Sequence, residues 1–178
     1  MTDSIAAPRG FVHRPEPKAI GHAGRGEQLV GGALHLGGIT LTGDFLAAEV
    51  PPTVAAELHG FGWLDDLAAV GTPRARALAQ DHVLRWIRQH RQPLAGRIEW
   101  SPEVAGRRVL RWIFHAGMIL PGLDREGAEP YFRALDVHLN HLRDTWYDAA
   151  DGLNRLEALA GLAIGAMSLR DRQAMAVP

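Results

Sequence analysis

A mostly α-helical chain with a small β-hairpin near its N-terminus is what the sequence predicts, and three observations predict it. Apolar residues recur at helical spacing through five segments between residues 53 and 169. A capping residue precedes proline at Thr72-Pro73 and again at Ser101-Pro102, where a helix can begin without losing a needed N–H. Gly37-Gly38 separates two short runs of alternating apolar and polar residues, as in a tight hairpin.

Residues 1–28, rich in Pro, Gly, Ala and charge, read as an extended arm, and residues 29–178 as one domain. The hairpin over Ala33–Leu41 should lie against the helices, because two strands alone are unstable. Pro51-Pro52 leads into a first helix over residues 53–70, with Leu58, Phe61, Leu64 and Leu67 on one broad side. Trp63 and Val70 extend that side and leave a narrow polar stripe of His59, Gly62 and Asp66. Each glycine inside such a helix costs about 1 kcal/mol, which packing or a close-lying ligand could offset. A second helix runs from Thr72-Pro73 to about His90, burying Leu78, Val83, Trp86 and Ile87.

The third helix opens at Ser101-Pro102-Glu103, runs to Leu120 and stops at Pro121-Gly122. A fourth is expected from Glu129-Pro130 to Tyr147, with a single apolar stripe of Phe132, Leu135, Leu139, Leu142 and Trp146. The fifth, residues 153–169, has no continuous polar face and should be buried on most sides. Short loops make these helices antiparallel neighbours.

The 178 residues carry a formal net charge of -1 and are 47% hydrophobic, ordinary for a soluble globular chain. Basic residues are balanced rather than massed, so no nucleic-acid partner is expected. With no cysteine there is neither a disulfide framework nor a thiolate zinc site. The longest apolar run, Ala158–Met167, is half of the roughly 20 residues a bilayer requires, so no membrane partner is expected. Met1–Gly10 lacks a basic start followed by an apolar run, so a cytoplasmic location is the default, with a periplasmic one for full-length relatives left open. Phosphate-binding glycine loops, Gly-x-Ser-x-Gly elbows and His-Glu-x-x-His are all missing, and no cofactor or metal is expected.

Positive charge is almost all arginine, with Lys18 the only lysine, and the planar guanidinium suits carboxylates and sulfates. On the third helix Arg108, Arg111 and His115 fall within about 60° of arc, with Trp112 on the flank. Cations beside an aromatic ring suit an acidic sugar: charge for the carboxylate, a flat face for the pyranose. If His59 and Trp63 of the first helix face the same groove, these six residues form a saccharide-binding surface. The same pattern also describes an ordinary solvent face, with His115 near the helix C-terminus where the dipole favours it. Asn140, His141 and Tyr147 supply an Asn, a His and a Tyr within eight residues. They lie away from the apolar stripe of the fourth helix, where exposed polar residues are expected anyway. His138 and His141 lack a carboxylate at ligand spacing.

One stretch, Glu57-Leu-His-Gly-Phe-Gly-Trp-Leu-Asp-Asp-Leu-Ala-Ala-Val-Gly71, closely resembles the N-terminal helical region of bacterial heparinase II/III-like polysaccharide lyases. Three more stretches match in order: Ile20–Gly32 with Arg25-Gly26, Gly106–Ile113, and Arg155–Leu162. The resemblance covers roughly residues 15–170. It implies an incomplete α/α toroid of antiparallel helical hairpins, normally followed by a β-sandwich domain; this chain ends at Pro178. The implied chemistry is β-elimination beside a uronic acid, which needs a group to neutralise the carboxylate, a base and an acid. In the family these roles fall to an Asn or Glu, a His and a Tyr. An Asn-His pair opens the helix corresponding to the fifth one here, where this chain has Asp151-Gly152-Leu153-Asn154-Arg155 and no His. The expectation is therefore the helical domain of a lyase for uronate-containing polysaccharide, inactive as this short chain, with an acidic polysaccharide as partner. Apolar surface left by missing helices would favour self-association. The alternative is a non-catalytic helical module that binds carbohydrate or protein.

Overall fold

The computed structural model describes Pro8, residues 10–17 and residues 20–176; the rest of the expected arm, residues 1–7, 9, 18 and 19, lies outside the described residues. Part of that arm is helical: α1 spans Ala23–Val30. Its glycines let it lie directly on a neighbouring backbone, since a Cβ on Gly26 would sit 2.2 Å from the Asp66 carbonyl oxygen. The bidentate pair from Arg25 to Asp66, at 3.0 and 2.9 Å, ties the contact. A compositional reading as an extended arm overlooks this, because the glycines serve close packing here.

The hairpin pairs β1 (Ala33–Leu36) with β2 (Ile39–Thr42) in the register Leu36 opposite Ile39. Both turn residues have positive φ, 53° at Gly37 and 78° at Gly38, as such a two-residue turn requires. Leu34 and Leu41 are buried, so one face of the hairpin lies on the helices.

The expected single helix over residues 53–70 is two helices, α2 (Pro52–His59) and α3 (Trp63–Val70). Gly60-Phe61-Gly62 separates them, and Phe61 takes a left-handed conformation with φ 60°. That conformation costs a non-glycine residue about 1–2 kcal/mol. It turns the Phe61 ring into the core against Trp63, Trp112 and Trp86, with centroids 4.8, 5.5 and 6.1 Å away. Complete burial of an aromatic ring, worth roughly 1.5–3 kcal/mol, offsets the strain. The Trp63 indole N–H donates to the Leu58 carbonyl at 3.0 Å and so closes the end of α2.

Helix α4 (Pro73–Gln89) begins as expected, with Thr72 Oγ1 accepting from the Ala75 N–H at 3.3 Å. The 3-10 turn Ile98–Trp100 precedes α5 (Pro102–Phe114). The third helix does not run unbroken to Leu120: it ends at His115, and α6 (Ala116–Ile119) follows as a separate short turn. Helix α7 (Arg125–Thr145) starts earlier than expected, because Asp124 caps it through the Gly127 N–H at 2.8 Å; Pro130 lies inside its second turn.

Helix α8 (Leu153–Ser168) packs chiefly on α5. There the backbones touch, since a Cβ on Gly106 would meet the Glu157 carbonyl oxygen at 2.3 Å and one on Gly161 would meet Gly106 Cα at 2.4 Å. The outer side of α8 is open, with Leu153 68%, Leu156 62% and Met167 51% exposed, so this helix is buried on fewer sides than its composition suggests. Trp86 and Trp112, fully buried, stand at the centre of the core. Among the described residues no helix is long and apolar enough to cross a membrane.

Candidate functional site

Arg108 is the centre from which the site is built. Helix α5 carries it inward, and the whole side chain is buried. Its guanidinium carbon lies 4.0 Å from the Trp86 ring centre and 5.3 Å from that of Trp100, within cation–π range. Its N–H groups donate to His138 Nε2 at 2.8 Å, the His59 carbonyl at 2.9 Å and the Glu99 carbonyl at 2.8 Å. Helices α2, α4, α5 and α7 and the Ile98–Trp100 turn thus meet on one cation.

The charge sets the state of the histidines around it. Burial drives the His138 pKa well below its ordinary value, and the Arg108 charge adds to the effect. His59 is pushed down to about 4, by burial first and then by Arg108. His90 is lowered mainly by burial. All three are neutral near pH 7 and act as hydrogen-bonding groups rather than cations. Burial works to raise the Glu99 pKa, but hydrogen bonds from its own backbone N–H and from Arg97 outweigh that and lower it. Arg97 Nε meets Glu99 Oε1 at 3.0 Å.

Two clefts open from this centre, with His90 on the wall between them. One, of about 710 Å³, is lined by His59, His90 and Glu99 together with the apolar Val50, Pro52 and Ala55 and the charged Glu49 and Arg97. The second, of about 520 Å³, has the buried Ile87 and Trp100 at its floor and the exposed Arg88, Arg91, Arg133 and Pro130 at its rim. Glu126 and Glu129 also line it, and Glu129 is paired with Arg133. Arg88 and Arg91 are exposed and pair with no carboxylate among the described residues.

The chain is similar to FtsZ-localized protein C of Caulobacter vibrioides (strain NA1000 / CB15N). The two are 34% identical over 114 residues, 60% of this chain and 19% of that protein. The chain thus spans about a fifth of the length of the curated relative it matches. No protein-family model matches it, and no solved structure matches it.

The six residues expected on one saccharide groove divide between core and groove edge. Arg108, Trp112 and His115 are buried, as are His59 and most of Trp63. Amphipathic spacing puts arginine on the solvent face by default; here three tryptophans and two backbone carbonyls receive Arg108 instead. The α2–α3 and α5 faces do converge, on a groove of about 490 Å³ lined by Gly60, Gly62, Trp63, Arg107 and Arg111. Its cations are already matched: Arg111 Nε lies 3.0 Å from Asp65, Arg107 Nε 3.4 Å from Glu157, and Arg25 grips Asp66. His115 Nε2 donates to Asp65 at 2.7 Å. Arg25, Arg107 and Arg111 face Glu57, Asp65, Asp66 and Glu157 across it, so four carboxylates outnumber three guanidiniums.

Asn140, His141 and Tyr147 do not form a reactive trio. Asn140 Nδ2 donates to the Asp136 carbonyl in its own helix at 2.9 Å, and His141 Nε2 donates to the Trp100 carbonyl at 2.7 Å. Tyr147 lies beyond the helix, in the turn Trp146–Asp148, and is 56% exposed. Sequence reasoning missed His90, Glu99, Arg88, Arg91 and Trp100 as site residues. The i, i+4 pair Trp86 and His90 was visible, and their rings stack at 4.4 Å.

Proposed function

We propose that this chain is a non-catalytic, saccharide-binding helical module of the heparinase II/III-like kind, part of an incomplete α/α toroid, whose ligand is an acidic polysaccharide. The observation that carries this reading is the arginine-rimmed cleft, where Arg88, Arg91 and Arg133 outnumber Glu126 and Glu129, and where Arg88 and Arg91 pair with no carboxylate among the described residues, above the buried apolar floor of Ile87 and Trp100. A guanidinium fork meets a uronate carboxylate or a sulfate with two parallel hydrogen bonds, while the C–H face of a sugar ring packs on the floor. The mixed-charge groove at Arg107 and Arg111 is a poor site for a polyanion, because its carboxylates repel the ligand that its arginines attract.

Non-catalytic action follows from the residues available. β-Elimination needs a free base beside the C5 proton. His141 is spent on a backbone carbonyl, and the place where the family carries its Asn-His pair holds Asp151–Arg155 instead. Binding of an acidic oligosaccharide such as oligogalacturonate, followed by calorimetry, tests the proposal. Arg88→Ala combined with Arg91→Ala should weaken it about tenfold or more and flatten its dependence on salt. Incubation should release no unsaturated uronate. No binding by the parent chain, or turnover of the polysaccharide, would sink this reading.

A second reading is favoured by the exposed Leu153, Leu156 and Met167 on α8: a module that docks protein, or a second copy of itself, through that face. The relative's description as FtsZ-localized is compatible with a role in protein assembly. Sedimentation of the parent chain beside Leu156→Glu separates this from a saccharide-only module.

A further inference from the structure

In the other cleft, a single residue sets two histidines in opposite roles. The Trp86 indole N–H donates to His59 Nδ1 at 3.1 Å. An indole can only donate, so Nδ1 of His59 carries the lone pair and Nε2 carries the proton. The Trp86 backbone carbonyl lies 3.2 Å from His90 Nδ1. A carbonyl can only accept, so Nδ1 of His90 carries the proton and Nε2 keeps the lone pair. Neither Nε2 has a hydrogen-bond partner among the described residues, Glu99 Oε1 lying 3.9 Å from His90 Nε2, and both rings line the cleft, 5.6 Å apart between centroids. The cleft therefore displays a fixed donor, His59 Nε2–H, beside a fixed acceptor, His90 Nε2.

We propose that His59 and His90 form a recognition subsite for the hydroxyl groups of a neutral, polyhydroxylated ligand, a sugar ring that carries no charge. Resting on the saccharide reading above, it names a second kind of sugar unit and a second place for it. A hydroxyl both accepts and donates, so one hydroxyl or a vicinal pair satisfies the two nitrogens together. Other ligand classes fit worse. A metal ion could use His59 Nε2 only by moving the ring proton to Nδ1 and breaking the Trp86 hydrogen bond. An anion meets the His90 lone pair and the Glu99 carboxylate, whose neighbouring cation Arg97 is already engaged with it. Val50, Pro52 and Ala55 in the same lining are apolar and offer a surface to the C–H face of a pyranose. Histidines held neutral by burial and by Arg108 keep these roles at physiological pH.

Histidine ¹⁵N spectra of the full chain read the two tautomers directly. His59 should show its proton on Nε2 and His90 on Nδ1. Trp86→Phe removes the indole donor but keeps the carbonyl, so it should mix the tautomers of His59 and leave His90 as it was. Titration with cellohexaose should move both Nε2 resonances, and His90→Phe, which keeps the stack on Trp86, should weaken binding about tenfold. If that variant does not fold, the resonances of the parent chain still decide. Identical tautomers on the two histidines, or cellohexaose leaving both Nε2 resonances unmoved, overturns the proposal. When oligogalacturonate still binds in that case, the subsite fails and the arginine cleft survives. Cellohexaose binding without oligogalacturonate binding supports the subsite and removes the arginine-cleft reading.

Discussion

Two arginines one helical turn apart on α5, Arg108 and Arg111, have opposite fates. Arg108 is enclosed by tryptophans and bonds to a histidine and two backbone carbonyls, with no carboxylate in direct contact among the described residues. Arg111 stays at the edge of a groove, about a quarter exposed, beside the carboxylate of Asp65. The first holds four helices and a turn together and fixes the charge state of the histidines around it. The second takes part in a local balance of charge. Arginine on this helix is thus a structural residue on one side and a surface ion on the other, and only the cage reaches the two clefts.

The largest effect should come from Arg108→Met. Removing the guanidinium strands His138 Nε2 and two carbonyls in a buried site and leaves part of the cage unfilled, a loss of about 3–5 kcal/mol. Urea denaturation reads it directly, and a loss below about 1 kcal/mol would erase the contrast with Arg111.

An intermediate effect should follow from acid. His59 folds with a pKa near 4, below the roughly 6.5 of an unfolded histidine, so the unfolded chain binds more protons between those values. Its contribution is fully present above about pH 6.5 and is lost as the pH falls toward 4. Between about pH 6.5 and 5 the loss from His59 is roughly 2 kcal/mol, and His138, shifted in the same direction, adds to it. Stability that is flat between about pH 7 and 5 would mean that the cage does not hold its histidines neutral.

Arg111→Ala should matter least. A pair at a groove edge is worth about 0–1 kcal/mol, and less in high salt. A cost as large as that of Arg108→Met would show that the groove, too, is structural.

Local chemistry made much of the fold legible. Thr72-Pro73, Ser101-Pro102 and Gly37-Gly38 placed two helix starts and the hairpin turn where the structure has them, because the Thr72 cap, the prolines at the first helical positions and the positive-φ glycines act within a few residues, although Ser101 Oγ makes no capping hydrogen bond. Gly60-Phe61-Gly62 was not legible as a break, since an apolar run with two glycines reads as a helix whose packing tolerates them. What decides it is the Phe61 ring, which packs on Trp63 beside it and on Trp86 and Trp112 from two other helices. The site was legible only in residue types. Arg108, Trp112 and His59 were singled out for an acidic sugar, yet their environment comes from α4, α7 and the Ile98–Trp100 turn, which no periodicity on α5 encodes. His90 and Glu99 have their partners close by in sequence, Trp86 four residues away and Arg97 two, but what gives them a role is the cleft they share with His59 of α2, which no local spacing encodes.

The bare-backbone contact between Gly106 and Gly161 also bears on the order in which the chain can fold. Helix α8 docks on α5, although α6 and α7 lie between them in the chain, and the two glycines that meet are far apart in sequence. Closing so long a loop is entropically costly and slows folding. A ribosome that has released everything through α7 still leaves the Gly106 side of α5 uncovered. Covering of the Gly106 side of α5 therefore waits on emergence of α8, and substitutions at either glycine should act on this docking step more than on the earlier hairpin.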